Sequence, residues 1–184
     1  MSKLVLFNLV TVDGFFEGPK REIDWHNVDA EFNEFAVEQL DTAGMLIFGR
    51  ITYELMAGFW PKPEALENDP VVARKMNSLP KIVFSKTLDK VEWANTTLIS
   101  SNIEKYIIQM KRDLTKDIFL FGSSELASEL RRLNLIDEYR ILINPILLGN
   151  GKPLFKAGDR RLNLSLMWIR EFRSGNILLC YSPK

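Results

Sequence analysis

The 184-residue chain has a single cysteine, Cys180, and a single histidine, His26. A lone thiol cannot close an internal disulfide, and one Cys with one His cannot supply the ligands of a structural zinc site. The flanks of Cys180 (Ile177, Leu178, Leu179, Tyr181) read as a buried strand, so the thiol is expected to be inert. His26 stands beside Trp25 and reads as a packing or surface residue rather than a catalytic base, because no partner for it is evident. Chemistry without a metal is the expectation.

Charge of one sign is also missing. Twenty-four Lys+Arg against twenty-four Asp+Glu give a formal net charge of zero, so no overall field steers the chain onto nucleic acid or an acidic membrane. A small-molecule partner is expected, with no nucleic acid and no membrane. No apolar run approaches the roughly 20 residues of a membrane helix. The opening residues reach Asn8 and Asp13 too soon for a signal-peptide core, which points to a cytoplasmic protein.

Two common phosphate-binding signatures fail. Gly149-Asn150-Gly151-Lys152 resembles the end of a P-loop, but Ile146 stands at the first glycine position and Pro153 where Ser or Thr must hold magnesium. No Gly-x-Gly-x-x-Gly turn follows the first strand, so the ordinary dinucleotide fingerprint is absent.

With 46% hydrophobic and 26% charged residues, the chain can bury one good core, and a single domain over residues 1–184 is expected. Leu4–Val10, Met45–Phe48, Ile82–Phe84, Thr97–Ile99 and Ile118–Phe121 are short apolar strands. Between them, helical spacing appears from Asp29 (Phe32, Phe35, Ala36, Leu40), after Arg50 (Thr52 to Met56), from Ile103 (Ile107, Met110, Leu114) and from Leu126 (Ala127, Leu130, Leu133). Pro61, Pro63 and Pro70 mark an irregular stretch. Glu138–Asn144, Leu162–Phe172 and Ile177–Tyr181 are strand-like with no helix between them, and Ser174-Gly175-Asn176 is a hairpin turn. The pattern predicts an α/β fold: a mixed, mostly parallel sheet with helices on both faces and an antiparallel C-terminal edge.

Several strands end in small or polar residues just before a helix: Gly49, Ser85, Ser100 and Gly122-Ser123-Ser124. Helix N-termini present unpaired N–H groups and partial positive charge, and in an open α/β sheet these ends share one rim, so that rim is where an anionic ligand is expected. The competing reading is that each Gly or Ser only makes a turn or an N-cap. Arg50 suits a phosphate, or else pairs with Glu54 one turn on; Lys86 carries the same ambiguity. Glu125 would itself satisfy the helix dipole and repel a nearby phosphate.

Phe48-Gly49-Arg50-Ile51-Thr52-Tyr53-Glu54 resembles the Gly-Arg-x-Thr segment of dihydrofolate reductases, and Thr11-Val12-Asp13-Gly14 resembles the Ser-Leu-Asp-Gly turn of the reductase domain of bacterial riboflavin synthesis. Gly122-Ser123-Ser124-Glu125-Leu126, Leu135-Ile136-Asp137-Glu138 and Asn144 through Phe155 are similar to the riboflavin branch (the RibD C-terminal domain) rather than to folate enzymes proper. The resemblance implies a dihydrofolate reductase-like fold with NADPH across the strand ends. Gly49, Arg50 and Thr52 would hold the pyrophosphate and adenosine side, Ser85 and Lys86 would lie near the ribose phosphate, and Gly122, Ser123, Ser124, Glu125 and Leu126 would cradle the pyrophosphate. Thr11, Gly14 and Phe16 would border the nicotinamide. The chain departs from the family where Gly122-Ser123 replaces two adjacent glycines, which is expected to crowd the pyrophosphate. Glu31, Glu34 and Glu38 read as a solvated face, and no catalytic acid is assigned.

Trp25, Phe59 and Trp60 are candidates to stack a planar substrate, and Asp13 to hydrogen-bond it; packing in the core or a dimer accounts equally for the aromatics. The implied activity is an NADPH-dependent reductase of a small planar heterocycle, acting as a homodimer. The rivals are a nucleotide-binding or sensory protein without turnover, and a dimeric interaction module.

Overall fold

The computed structural model describes residues 1–156, 158 and 160–184. Strand β1 (Leu4–Thr11) is followed by a short β2 (Phe15–Glu17), helix α1 (Ala30–Thr42), β3 (Ala43–Gly49) and α2 (Arg50–Ala57). Next come α3 (Pro63–Asn68), α4 (Pro70–Ser78), β4 (Lys81–Phe84), β5 (Thr96–Ile99), α5 (Ile103–Asp113), β6 (Asp117–Phe121) and α6 (Ser124–Arg132). The chain closes with β7 (Glu138–Asn144), a two-residue β8 (Lys152–Pro153), β9 (Leu164–Glu171) and β10 (Ile177–Pro183).

Eight strands form one sheet in the order β5-β4-β3-β6-β1-β7-β10-β9, parallel from β5 to β7 and antiparallel from there to the β9 edge. This is the mixed α/β sheet with an antiparallel edge that the apolar runs predict.

Alternation along the central strands sends side chains into two cores. Val5 and Phe7 of β1 join Phe35 and Leu40 of α1, Tyr53 of α2, and Val72 and Met76 of α4 on one face. Leu4 and Leu6 join Ile107 and Met110 of α5 and Leu126, Ala127 and Leu130 of α6 on the other. Each fully buried Leu, Ile or Phe here contributes about 1.5–3 kcal/mol of transfer free energy.

Two segments differ from the sequence expectation. The proline stretch is helical, because Pro63 and Pro70 each occupy the first turn, where a missing N–H costs nothing, and the Asp69 side chain caps α4 by accepting from Val72 N. The short β2 and β8 pair with each other as an antiparallel ribbon beside the main sheet, too brief for any periodicity to announce them. Asp29 caps α1, accepting from Phe32 N at 2.8 Å. None of the helices among the described residues is long and apolar enough to cross a membrane.

Candidate active site

Because β3, β4, β5 and β6 run parallel, their C-terminal ends, Gly49, Phe84, Ile99 and Phe121, lie along one rim. A cleft of about 810 Å³ opens there, and three chain turns that leave the rim line it: Gly49 through Thr52, Phe84 through Lys86, and Ile99 through Lys105. Ser123 through Leu126 close the fourth side, and Phe16, Glu17 and Lys152 from the β2–β8 ribbon form an outer wall.

Gly49 and Ser123 interlock at the centre. A Cβ placed on Gly49 would lie 2.0 Å from Ser123 Oγ, so the serine side chain fills the space that the glycine leaves. Ser123 adopts a left-handed backbone with φ 61°, and Gly122 before it has φ 60°. A Cβ on Gly122 would meet Thr52 Oγ1 at 2.7 Å, which fixes glycine there and buries Thr52 beneath the turn. The Ser123 side chain therefore points toward β3.

Ser124 opens α6 and is 1% exposed, yet its Oγ has no hydrogen-bond partner among the described residues. Such a group costs roughly 1–3 kcal/mol unless something meets it, and it lines the cleft beside the unpaired N–H groups of a nine-residue helix. Glu125 does not leave its charge unopposed, since it pairs with Lys156.

Arg50 satisfies both readings of its sequence: it lines the cleft and its Nη1 pairs with Glu54 at 3.0 Å on exposed surface. Lys86 lines the cleft and is exposed. Ser85 lines it too, but its Oγ already accepts from Thr87 N and Leu88 N, each at 3.1 Å. Glu17 and Lys152 face each other at 3.5 Å, with the lysine Nζ 5.6 Å from the Phe16 ring centre.

The turn after β1 is a lock. Thr11 Oγ1 donates to Asp13 Oδ1 at 2.6 Å and accepts from Phe15 N at 3.0 Å. Asp13 also accepts from Gly149 N at 2.8 Å and Leu148 N at 3.3 Å, tying this turn to the loop after β7. The Thr11 hydroxyl first, then those two N–H groups, hold the Asp13 carboxyl below the usual carboxylate range. Gly14 has φ 85°, as this tight turn requires.

The structure thus gathers Phe16, Gly49, Arg50, Thr52, Ser85, Lys86, Ser123, Ser124, Glu125 and Leu126 around one cleft. Thr11, Asp13, Gly14 and Gly122 brace the turns behind it, and Trp25, Phe59 and Trp60 are not among the cleft's lining residues. Trp60 donates to Met56 Sδ at 3.1 Å and packs on the first core, Phe59 stacks edge-on against Trp60, and Trp25 stacks edge-on against His26. Burial pushes the His26 imidazole down to about 4. Residue type alone did not single out Phe84, Glu17, Lys105 or Lys152; for Lys152 the Gly149–Phe155 string was the available signal.

Residues 2–178 match the RibD C-terminal domain family model. The chain is 34% identical over 181 residues to the uncharacterized protein YyaP of Bacillus subtilis strain 168, covering 97% of this chain and 94% of that one. Among solved structures it is similar to a diaminohydroxyphosphoribosylaminopyrimidine deaminase/5-amino-6-(5-phosphoribosylamino)uracil reductase of Thermotoga maritima, with TM-score 0.70 and 14% identity over 100% of this chain and 57% of that one. It is also similar to a dihydrofolate reductase of Enterococcus faecalis complexed with NADP(H), with TM-score 0.67 and 13% identity over 99% of this chain and 96% of that one. At such identities these two comparisons establish the dihydrofolate reductase-like fold alone. By the family match over nearly its whole length, the chain belongs to the RibD C-terminal domain family, a family of the reductase type.

Proposed function

We propose that this protein is an NADPH-dependent reductase of a small, planar heterocyclic substrate, working in the cytoplasm. The observation that carries this reading is the buried Ser124 hydroxyl at the N-terminus of α6, which has no partner among the described residues and lines the cleft together with Gly49, Arg50 and Thr52. A pyrophosphate oxygen suits that hydroxyl and the adjacent helix N–H groups. Arg50, Lys86 and Lys105 supply cations along the same wall, as the extra phosphate of NADPH over NADH requires. When bound, NADPH supplies the hydride, and the protein's part is to place it and the substrate. Phe16 and the Glu17–Lys152 pair offer an aromatic face and polar groups to the ring end of the ligand. Trp25, Phe59, Trp60 and Asp13 lie outside the cleft's lining and stay as candidates for the substrate side.

One observation favours a second reading, nucleotide binding without turnover. The Asp13 carboxylate accepts three hydrogen bonds from its own chain and so is not free to serve as a proton source.

Titration of the purified protein with NADPH and NADH, followed by nicotinamide fluorescence, tests both. The expected result is tighter binding of NADPH, weakened about tenfold by Ser124→Ala and by Arg50→Ala. Binding of neither nucleotide at millimolar concentration ends the reductase reading. Stoichiometric NADPH binding with no oxidation across a panel of pterins, pyrimidines and quinones selects the second.

A further inference from the structure

Lys86 after β4, Glu104 and Lys105 at the start of α5, and Glu129 and Arg132 near the end of α6 all line the cleft. Glu129 is gripped among them. Arg132 Nη2 donates to one of its carboxylate oxygens at 2.7 Å and Arg132 Nε to the other at 3.2 Å. That two-pronged bond first, then the charges of Arg132 and Lys86, hold the Glu129 carboxyl below the usual carboxylate range. Arg132 is in turn held above its ordinary value by Glu129 and, more weakly, by the Glu104 carboxylate. Helix α6 gives the acid no reason to be there. Its end at Arg132 carries the partial negative charge of unpaired carbonyls, so Glu129, within one turn of it, gains nothing from the dipole, whereas Glu104 in the first turn of α5 does.

The charge balance of the cleft gives this arrangement a consequence. Its lining holds five Lys or Arg side chains and four Glu, so net charge alone draws in no polyanion, and a phosphate must compete with resident carboxylates for their cations. We propose that Glu129 is a specificity-determining residue for the nucleotide: by engaging Lys86 and Arg132 it stands in for a phosphate group, and so limits how strongly the cleft prefers a dinucleotide with an extra phosphomonoester over one without it. This rests on the nucleotide reading above, in which Lys86 meets that phosphate. Glu129 acts through the two cations, which its neutralisation releases together; the same change removes the repulsion between its carboxylate and a phosphate dianion. Glu104 lacks this double hold, since its charge bears on Arg132 and its place is already favoured by the α5 dipole.

Titration of the full chain with NADPH and NADH, followed by nicotinamide fluorescence at low salt, tests this. Glu129→Gln is expected to tighten NADPH about fivefold and to leave NADH within about twofold, the size expected of one carboxylate charge a few ångströms from a dianion in a water-exposed cleft. Glu129→Asp keeps the charge and should keep the wild-type ratio of the two affinities. In a Lys86→Met background the gain from Glu129→Gln should shrink to about twofold or less, because the carboxylate then has one cation fewer to release. Glu104→Gln takes the same charge from the same cleft and should gain less than Glu129→Gln. These side chains are half-exposed or exposed, so the variants are expected to fold, which circular dichroism checks. If the wild type binds dinucleotide but Glu129→Gln shifts NADPH and NADH alike, or shifts neither, the proposal is overturned and the nucleotide reading stands. Equal gains from Glu104→Gln and Glu129→Gln overturn it too. Binding of neither nucleotide by wild type and variant at millimolar concentration overturns both.

Discussion

Ser123 Oγ occupies the space a side chain on Gly49 would need, 2.0 Å from the position of its Cβ, so the ends of β3 and β6 are keyed to each other. Gly49→Ala is expected to destabilise the fold by about 1–3 kcal/mol as overpacking. Ser123→Gly removes the obstructing hydroxyl and suits the left-handed φ of 61°. The double variant should recover at least about 1 kcal/mol relative to the sum of the single changes, measured by urea denaturation. Strict additivity would mean that the two residues do not oppose each other.

His26 carries a pH dependence of known sign. Burial lowers its folded-state value from 6.5 to about 4, with Nε2 enclosed and without a partner among the described residues. The unfolded chain thus binds the proton more readily, and the stability due to the neutral ring is complete above pH 6.5 and lost as pH falls toward 4. At pH 5 the loss amounts to about 2 kcal/mol. His26→Phe should flatten the difference in unfolding free energy between pH 7 and pH 5 by that amount; an unchanged slope would place the titration elsewhere.

Cys180 should be silent toward thiol reagents. The side chain is fully buried, and burial, helped by the neighbouring Glu138 carboxylate that its Sγ meets at 3.3 Å, pushes the thiol up to about 12. Labelling with a chromogenic disulfide at pH 8 is expected to follow the rate of unfolding and to become immediate in guanidinium. Fast reaction in the native state would contradict the burial.

Lys81 is a structural cation. Its Nζ donates to the carbonyls of Met76, Asn77 and Leu79 at 2.7–3.1 Å, ending α4, and lies 4.6 Å from the Trp93 ring centre. Lys81→Met strips those carbonyls of their donor at 1% exposure and should cost about 2–4 kcal/mol by thermal or urea unfolding, with nucleotide binding unchanged. A loss below about 0.5 kcal/mol would mean that other groups satisfy the carbonyls.

The order of strands and helices was largely legible, because Leu4–Val10, Met45–Phe48 and Ile118–Phe121 are apolar on both faces and the α1, α5 and α6 stripes repeat at helical spacing. The ribbon of Phe15–Glu17 with Lys152–Pro153 was hidden, since a pairing across more than 130 residues leaves no local mark. Proline also misled, for at the first turn it begins a helix as readily as it breaks one. In the site, residues at strand ends converged because topology alone brings parallel strand ends together, which placed Gly49, Ser85 and Ser123. Trp25, Phe59 and Trp60 were chosen for what their rings can do, and ring chemistry carries no information on where a loop folds.

The central place of β1 has a consequence during synthesis. β1, made well before either of its neighbours, pairs with β6 and β7, the backbone N–H of Lys3 meeting the Asp117 carboxylate 114 residues on. At about 5–20 residues per second, the ribosome leaves the apolar run Leu4–Val10 without its sheet neighbours for on the order of 10 s. A segment so sticky and so long unmatched is a natural client for chaperones that bind nascent chains, and slowing elongation after Thr11 should raise aggregation more than slowing it after Phe121.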